Sequence, residues 1–185
     1  MIKQKEQISD TKKEFNFMSS SIIFQVSRGI LVGIFAGLVV GAFRFLIEKS
    51  FHLVQAAYVK GRSEWIWLVG LLFLYAFIAF INARLVATER DIKGSGIPQV
   101  EAELKGLMSL SWWSILWKKF LVGTLAISSG LMLGREGPSI QLGAMSGKGI
   151  SKWLKLSPLE ERALIASGAA AGNEEIGRAS CRERV

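Results

Sequence analysis

An all-α protein that crosses a membrane several times, with interrupted rather than continuous helices, is what this sequence predicts. Three observations carry that reading. Half of the 185 residues are hydrophobic, with 19 Gly, 6 Trp and 11 Phe, and the apolar residues bunch into long uncharged runs. A soluble core does not need such runs, whereas a membrane span does. The charged residues collect at the ends of those runs, which accounts for the net charge of +8 as flanks of membrane segments. Two short breaks, Gly94-Ser95-Gly96-Ile97-Pro98 and Gly134-Arg135-Glu136-Gly137-Pro138, then interrupt the hydrophobic segments with a shared Gly-x-(Gly or Glu)-x-Pro spacing. Pro is favoured where a helix begins, because its missing N–H is not needed there. Each break therefore opens a helix whose unpaired N–H groups and positive dipole end lie beside it. Two such ends converging make an anion site of the kind discontinuous transporter helices build.

Taken in order, residues 1–20 are polar and mixed in charge, without the apolar region of a signal peptide, and read as a mobile tail or short surface helix. Gly29–Ile47 is the first span, 19 residues with Arg44 as its one charge. It reaches roughly 28 Å, about the hydrocarbon thickness. Gly29, Gly33, Gly37 and Gly41 recur at every fourth residue and predict a face packed closely against protein. An extension past Glu48 to about Tyr58 would make the helix longer than a simple span and so tilted. His52, the single histidine, falls in that extension with no second ligand to pair with it, so an ordinary interfacial role is its reading. Trp65–Ala83 is the second span, 19 uncharged residues closed by Arg84. Five Lys or Arg precede the first span and three occupy the loop 48–64, a bias that favours a cytoplasmic N-terminus.

The polar connector 87–93 delivers the chain to the first break. A short helix from Ile97 to about Gly106, carrying Glu101 and Glu103, is too polar and too short to span. Trp112, Trp113 and Trp117 with Lys118 and Lys119 mark an interface, and Lys119 could also raise the potential felt by an anion nearby. Phe120–Gly134 is a 15-residue uncharged run, and Pro138–Gly149 the helix after the second break, with Glu136 and Gly137 just outside it. Ser157-Pro158-Leu159-Glu160 has the form of a capping box, with Ser157 as N-cap and Pro158 as the first helical residue. The small residues from Ala166 to Gly172 predict tight helix packing. Residues 175–185 break every earlier pattern and resemble a sequencing-library adapter translated in frame. The expected division is a polar tail at 1–20, a truncated membrane domain at 21–172 and a non-native tail at 173–185, which would make Cys181 foreign and leave no thiol chemistry to argue.

Glu136 follows the long uncharged run and so falls at membrane depth, where an ionisable residue is costly and its default reading is functional. A carboxylate accepts N–H bonds as an anion does, so it can occupy an anion's place and, once protonated, vacate it. A structural Arg135–Glu136 pair is the alternative. Ser95 offers a hydroxyl beside the N–H groups of Gly96 and Ile97, either as an anion ligand or as an N-cap of the next helix. Other chemistries find little support. The basic residues form no stripe interleaved with aromatics, against a nucleic-acid surface. GSGIPQ fails the dinucleotide fingerprint at its sixth position, and no phosphate-binding loop, HExxH or Cys/His cluster occurs, so neither cofactor nor metal is expected. An intramembrane enzyme built on Glu136 and Glu101 lacks a visible nucleophile, and a purely structural membrane subunit is a third reading.

GSGIP at 94–98 and GREGP at 134–138, in this order and separation, closely resemble two signature motifs of the CLC chloride channels and chloride/proton exchangers. Gln99-Val100-Glu101, Ser139-Ile140-Gln141-Leu142-Gly143 and the run from Leu164 to Gly172 match as flanks. The resemblance covers roughly residues 25–172, with Gln99 standing where many relatives carry Glu. It implies an inverted-repeat transporter of which this chain is most of the first half. It also implies that Ser95, Gly96 and Ile97 bind the anion on the cytosolic side, and that Glu136 is the external gate and a proton carrier. Gly94, Pro98, Gly134, Arg135, Gly137 and Pro138 would shape the motifs. Chloride and protons are the implied partners, in a homodimer within a bacterial cell membrane. Relatives with Pro in place of Ser95 tend to prefer nitrate. Proton-coupled chloride antiport is the expected activity, with a passive chloride channel as alternative. A second, inward-facing Glu that usually distinguishes exchangers would lie beyond residue 172. The chain alone is expected to transport nothing.

Overall fold

A computed structural model describes the backbone of residues 2–61, 65–130 and 134–182, and the side chains of 24–59, 66–130 and 134–173. Every regular element among them is helical. Helix α1 runs unbroken from Ile2 to Gly61, so residues 2–20 continue it rather than forming a separate tail. Its Phe24–Val59 portion is long and apolar enough to cross a membrane, as is Ile66–Thr88 of helix α2 (Trp65–Thr88). The two spans predicted at 29–47 and 65–83 lie within these helices.

Val32, Ala36, Val40, Phe43 and Ile47 recur at helical spacing along α1 and are buried as one face. Val40, Phe43 and Ile47 pack with Ile127 and Leu142. The Phe43 ring lies 5.5 Å from that of Phe120 and fills the space left by the absent side chain of Gly123. The glycine stripe differs from its expectation. A side chain built at Gly29, Gly33 or Gly37 meets nothing within 4 Å, so the described residues leave that edge of α1 open. The larger side chains at 32, 36, 40 and 43 make the contact instead. Helix α2 buries almost nothing, with Leu72 and Phe73 about 70% exposed. A surface so apolar requires lipid as its solvent or further protein against it.

Beyond α2 come a 3₁₀ turn (Arg90–Ile92), a loop, and helices α3 (Ile97–Leu104), α4 (Trp112–Ser128), α5 (Glu136–Trp153) and α6 (Pro158–Arg182). Helix α5 is the centre: Leu142, Ala144, Met145 and Ser146 are fully buried among the other helices. It meets α6 backbone to backbone. Added side chains at Gly143, Gly147 and Gly172 would strike the carbonyls of Gly168, Leu164 and Ser139. This is the close approach that the small residues at 166–172 predict. The start of α6 is the expected capping box. The Ser157 N–H donates to Glu160 Oε2 at 3.1 Å, and the Glu160 N–H returns a long bond of 3.5 Å to Ser157 Oγ. Arg28 of α1 adds an ion pair of 2.5 Å, and these donors, Ser157 first, hold the Glu160 carboxyl below the usual carboxylate range.

One polar cluster was not legible in the sequence. Glu103 and Lys148 are buried and paired at 2.5 Å. Glu103 also accepts the Leu110 N–H at 2.5 Å, while Lys148 donates to the Leu110 carbonyl at 2.7 Å. Both charges thereby gain hydrogen bonds, which a buried pair requires. The cluster ties the chain between α3 and α4 to the middle of α5.

Candidate functional site

The first break is built on two left-handed glycines. Gly94 has φ +67° and Gly96, the N-cap of α3, has φ +85°. Only glycine adopts this conformation freely. Gly96 is constrained twice, because a side chain there would collide with that of Gln141. Ser95 lies exposed between them, and its hydroxyl accepts the Ile97 N–H at 3.4 Å. So long a bond is weak. Gly96, not Ser95, occupies the N-cap position of α3, so the N-cap alternative for Ser95 does not hold. Pro98 takes a first-turn position of α3, where no N–H is needed.

The second break starts its helix two residues earlier than expected. Arg135 is the N-cap of α5 and Glu136 its first residue, because the Ser139 N–H reaches the Arg135 carbonyl at 3.3 Å. Pro138 therefore sits third, still within the turn that has no N–H partners to lose. Glu136 lies inside the first turn, where the helix dipole favours a carboxylate. Glu136 and Arg135 are both exposed, and among the described residues no ion pair joins them. Gly134, ahead of them, is exposed as well.

Gly137 brings the two breaks together. A side chain built on it would lie 2.6 Å from both Cβ and the carbonyl oxygen of Ser95, and 2.7 Å from its Cα. Ser95 and the first turn of α5 are thus in backbone contact. Gly94, Ser95, Ile97, Gly134, Glu136, Gly137 and Pro138 line one cavity of about 560 Å³, with Val86, Val122 and Ala126 among its apolar walls. Two helix N-termini, a hydroxyl and a carboxylate therefore share one largely apolar chamber. Two lysines, the exposed Lys93 and the buried Lys119, are among its described lining residues.

Lys119 also lines this chamber, yet its charge is taken up by protein. Its Nζ donates to the Ile92 carbonyl at 2.8 Å and to the Gly94 carbonyl at 2.7 Å, and the residue is buried. Its neighbour Lys118 pairs with Glu89 at 3.3 Å. The Ser114 hydroxyl, 2.6 Å away, and then Lys118 hold the Glu89 carboxyl below its ordinary range. Gln141, noted in the sequence only as a motif flank, is fully buried, with its Nε2 donating to the Asp91 carbonyl at 2.9 Å. Glu101 points elsewhere, exposed and paired with Lys105. His52 is exposed, and among the described residues no cluster of His, Cys, Asp or Glu gathers to hold a metal. The Cys181 side chain and those of 174–185 lie outside the described residues.

Comparison with known proteins agrees with the motifs. Residues 76–172, which include both breaks, match the voltage gated chloride channel family. The H(+)/Cl(-) exchange transporter ClcA of Vibrio cholerae is 38% identical over 177 residues, covering 89% of this chain and 34% of the relative. The proteins of the same name from Cronobacter sakazakii and Vibrio vulnificus are 36% and 32% identical, covering 68% and 88% of this chain. The chain spans about a third of the length of these relatives. With the family matched across half of the sequence and the two breaks folded onto one chamber, this chain belongs to the CLC family of voltage gated chloride channels.

Proposed function

We propose that this chain forms one part of a proton-coupled chloride antiporter. In this reading Ser95, Gly96 and Ile97 bind chloride, while Glu136 gates the path and carries the proton. The observation that supports it is the contact of Gly137 with Ser95, with Ser95, Ile97 and Glu136 among the residues lining one chamber and Gly96 buried behind them. Chloride must leave as well as enter, so amide and hydroxyl donors suit it better than a free cation. The exchange transporters among its relatives support antiport over a passive channel. The same reading places the protein in a bacterial cell membrane with its N-terminus cytoplasmic, and makes the whole protein a homodimer. Residues 21–172 supply the membrane domain, with further ligands from the second half of an inverted repeat.

Liposomes carrying the full-length protein are expected to release chloride into a chloride-free bath and take up protons in return. Liposomes carrying residues 1–185 alone are expected to release none. Chloride release without proton uptake would favour the channel, and flux from residues 1–185 would show that the path is complete in this part. For anion choice, Ser95→Pro removes the hydroxyl donor. It should raise nitrate relative to chloride in competition flux by about tenfold, the scale of one hydrogen bond to a charged group. Unchanged selectivity would mean that the Ser95 hydroxyl is not a ligand.

A further inference from the structure

Four successive carbonyls ahead of α3 are each bonded by a side chain from farther along the sequence. Gln141 donates to Asp91 O at 2.9 Å, Gln99 to Lys93 O at 3.2 Å, and Lys119 to both Ile92 O and Gly94 O at 2.8 and 2.7 Å. A trans peptide is planar, so its C=O and the N–H of the next residue point in opposite directions. Fixing the Gly94 carbonyl on Lys119 therefore fixes the direction of the Ser95 N–H, directly beside the chamber. A carbonyl is the negative end of the peptide dipole, and one that swung toward a bound anion would repel it. Lys119 in turn spends its charge on carbonyls, so it does not trap an anion as a bare ammonium would.

Gln141 supplies an independent sign that this arrangement is specific. Its side chain is fully buried, and its Oε1 has no hydrogen-bond partner. Leaving a buried acceptor unpaired is costly, so the bond to Asp91 and the fit against Gly96 must offset it. Only glycine at 96 leaves room for that side chain. We infer that Lys119, Gln141 and Gln99 are positioning residues that hold the carbonyls of 91–94 in place, so that the amides of the GSGIP loop are presented to the anion and set its affinity. The inference rests on the anion-site reading above. It assigns these three side chains a role in ligand affinity that acts through the loop.

The test is chloride transport by the full-length protein in liposomes, with KM and kcat determined separately. Lys119→Met keeps the length of the side chain and removes its donors. It is expected to raise the chloride KM about tenfold while kcat stays within about threefold, since the interaction lost acts on binding. Lys119→Arg, which can still donate to both carbonyls, should recover most of the affinity. Gln99→Met removes the donor to Lys93 without adding a charge beside the chamber, and should raise KM about threefold. An unchanged KM in both Lys119→Met and Gln99→Met, with protein that elutes like the wild type, would overturn the inference. So would a fall in kcat at constant KM. Should Lys119→Met fail to fold, the KM of Gln99→Met decides alone. Wild-type protein that neither moves nor binds chloride would overturn the transport reading first, and this inference with it.

Discussion

Glu136→Gln in the full-length protein is expected to abolish proton movement while chloride still passes. The side chain occupies the first turn of α5, lines the chamber beside Ser95 and forms no ion pair with Arg135 among the described residues. Among the described residues no ion pair holds it, as the proposed exchange with an anion requires. As a carboxylate it can accept the N–H groups that chloride would use; once protonated it competes for them poorly. The amide of glutamine keeps the shape and cannot carry a proton, and alanine removes the obstruction altogether. Proton uptake driven by a chloride gradient should fall to background in both variants, with chloride flux kept within about tenfold of wild type. Normal pH-driven chloride uptake in Glu136→Ala would show that the proton travels by another group.

The second large effect is expected at Gly137. Its missing side chain leaves room for Ser95 against α5, and the atoms a methyl group would meet at 2.6–2.7 Å include backbone. Backbone cannot rotate aside as a flexible side chain can. Gly137→Ala must therefore push the GSGIP loop away from the start of α5, at a cost of about 1–3 kcal/mol for overpacking. Chloride flux should drop at least tenfold, because a displacement of about 1 Å in a built site is enough for such a loss. Thermal unfolding and flux of the two proteins, measured side by side, check both parts. Gly137→Ala protein with wild-type flux would mean that contact between the two motifs is not needed for the path.

The features that were legible in the sequence are those written locally. The two Gly-Pro breaks, the capping box at Ser157–Glu160 and the uncharged runs each depend on residues a few positions apart, and each appears in the fold. Glycine proved ambiguous because spacing alone cannot say what lies opposite. The regular stripe at 29, 33 and 37 faces open space here, whereas Gly143, Gly147, Gly168 and Gly172 carry the closest helix packing. Helix α5 starts at Glu136 rather than Pro138 because a single backbone bond, from the Ser139 N–H to the Arg135 carbonyl, adds two residues ahead of the proline. The long-range polar contacts were beyond reading. Lys119 meets the 92–94 loop across some 25 residues, Gln141 meets Asp91 across 50, and Lys148 meets Glu103 across 45. No local pattern announces which carbonyl or carboxylate a distant side chain will find.

The central claim is that the GSGIP and GREGP breaks jointly make an anion site, and bromide tests it most directly. Bromide substitutes for chloride and scatters anomalously, so crystals of the full-length protein grown in bromide locate the ion without reference to any assay. The account predicts an anomalous peak in the chamber between α3 and α5, within hydrogen-bond distance of Ser95 Oγ and the Ile97 N–H, and lost or displaced in Ser95→Pro. A chamber without bromide, or bromide bound only at surface lysines, would contradict it.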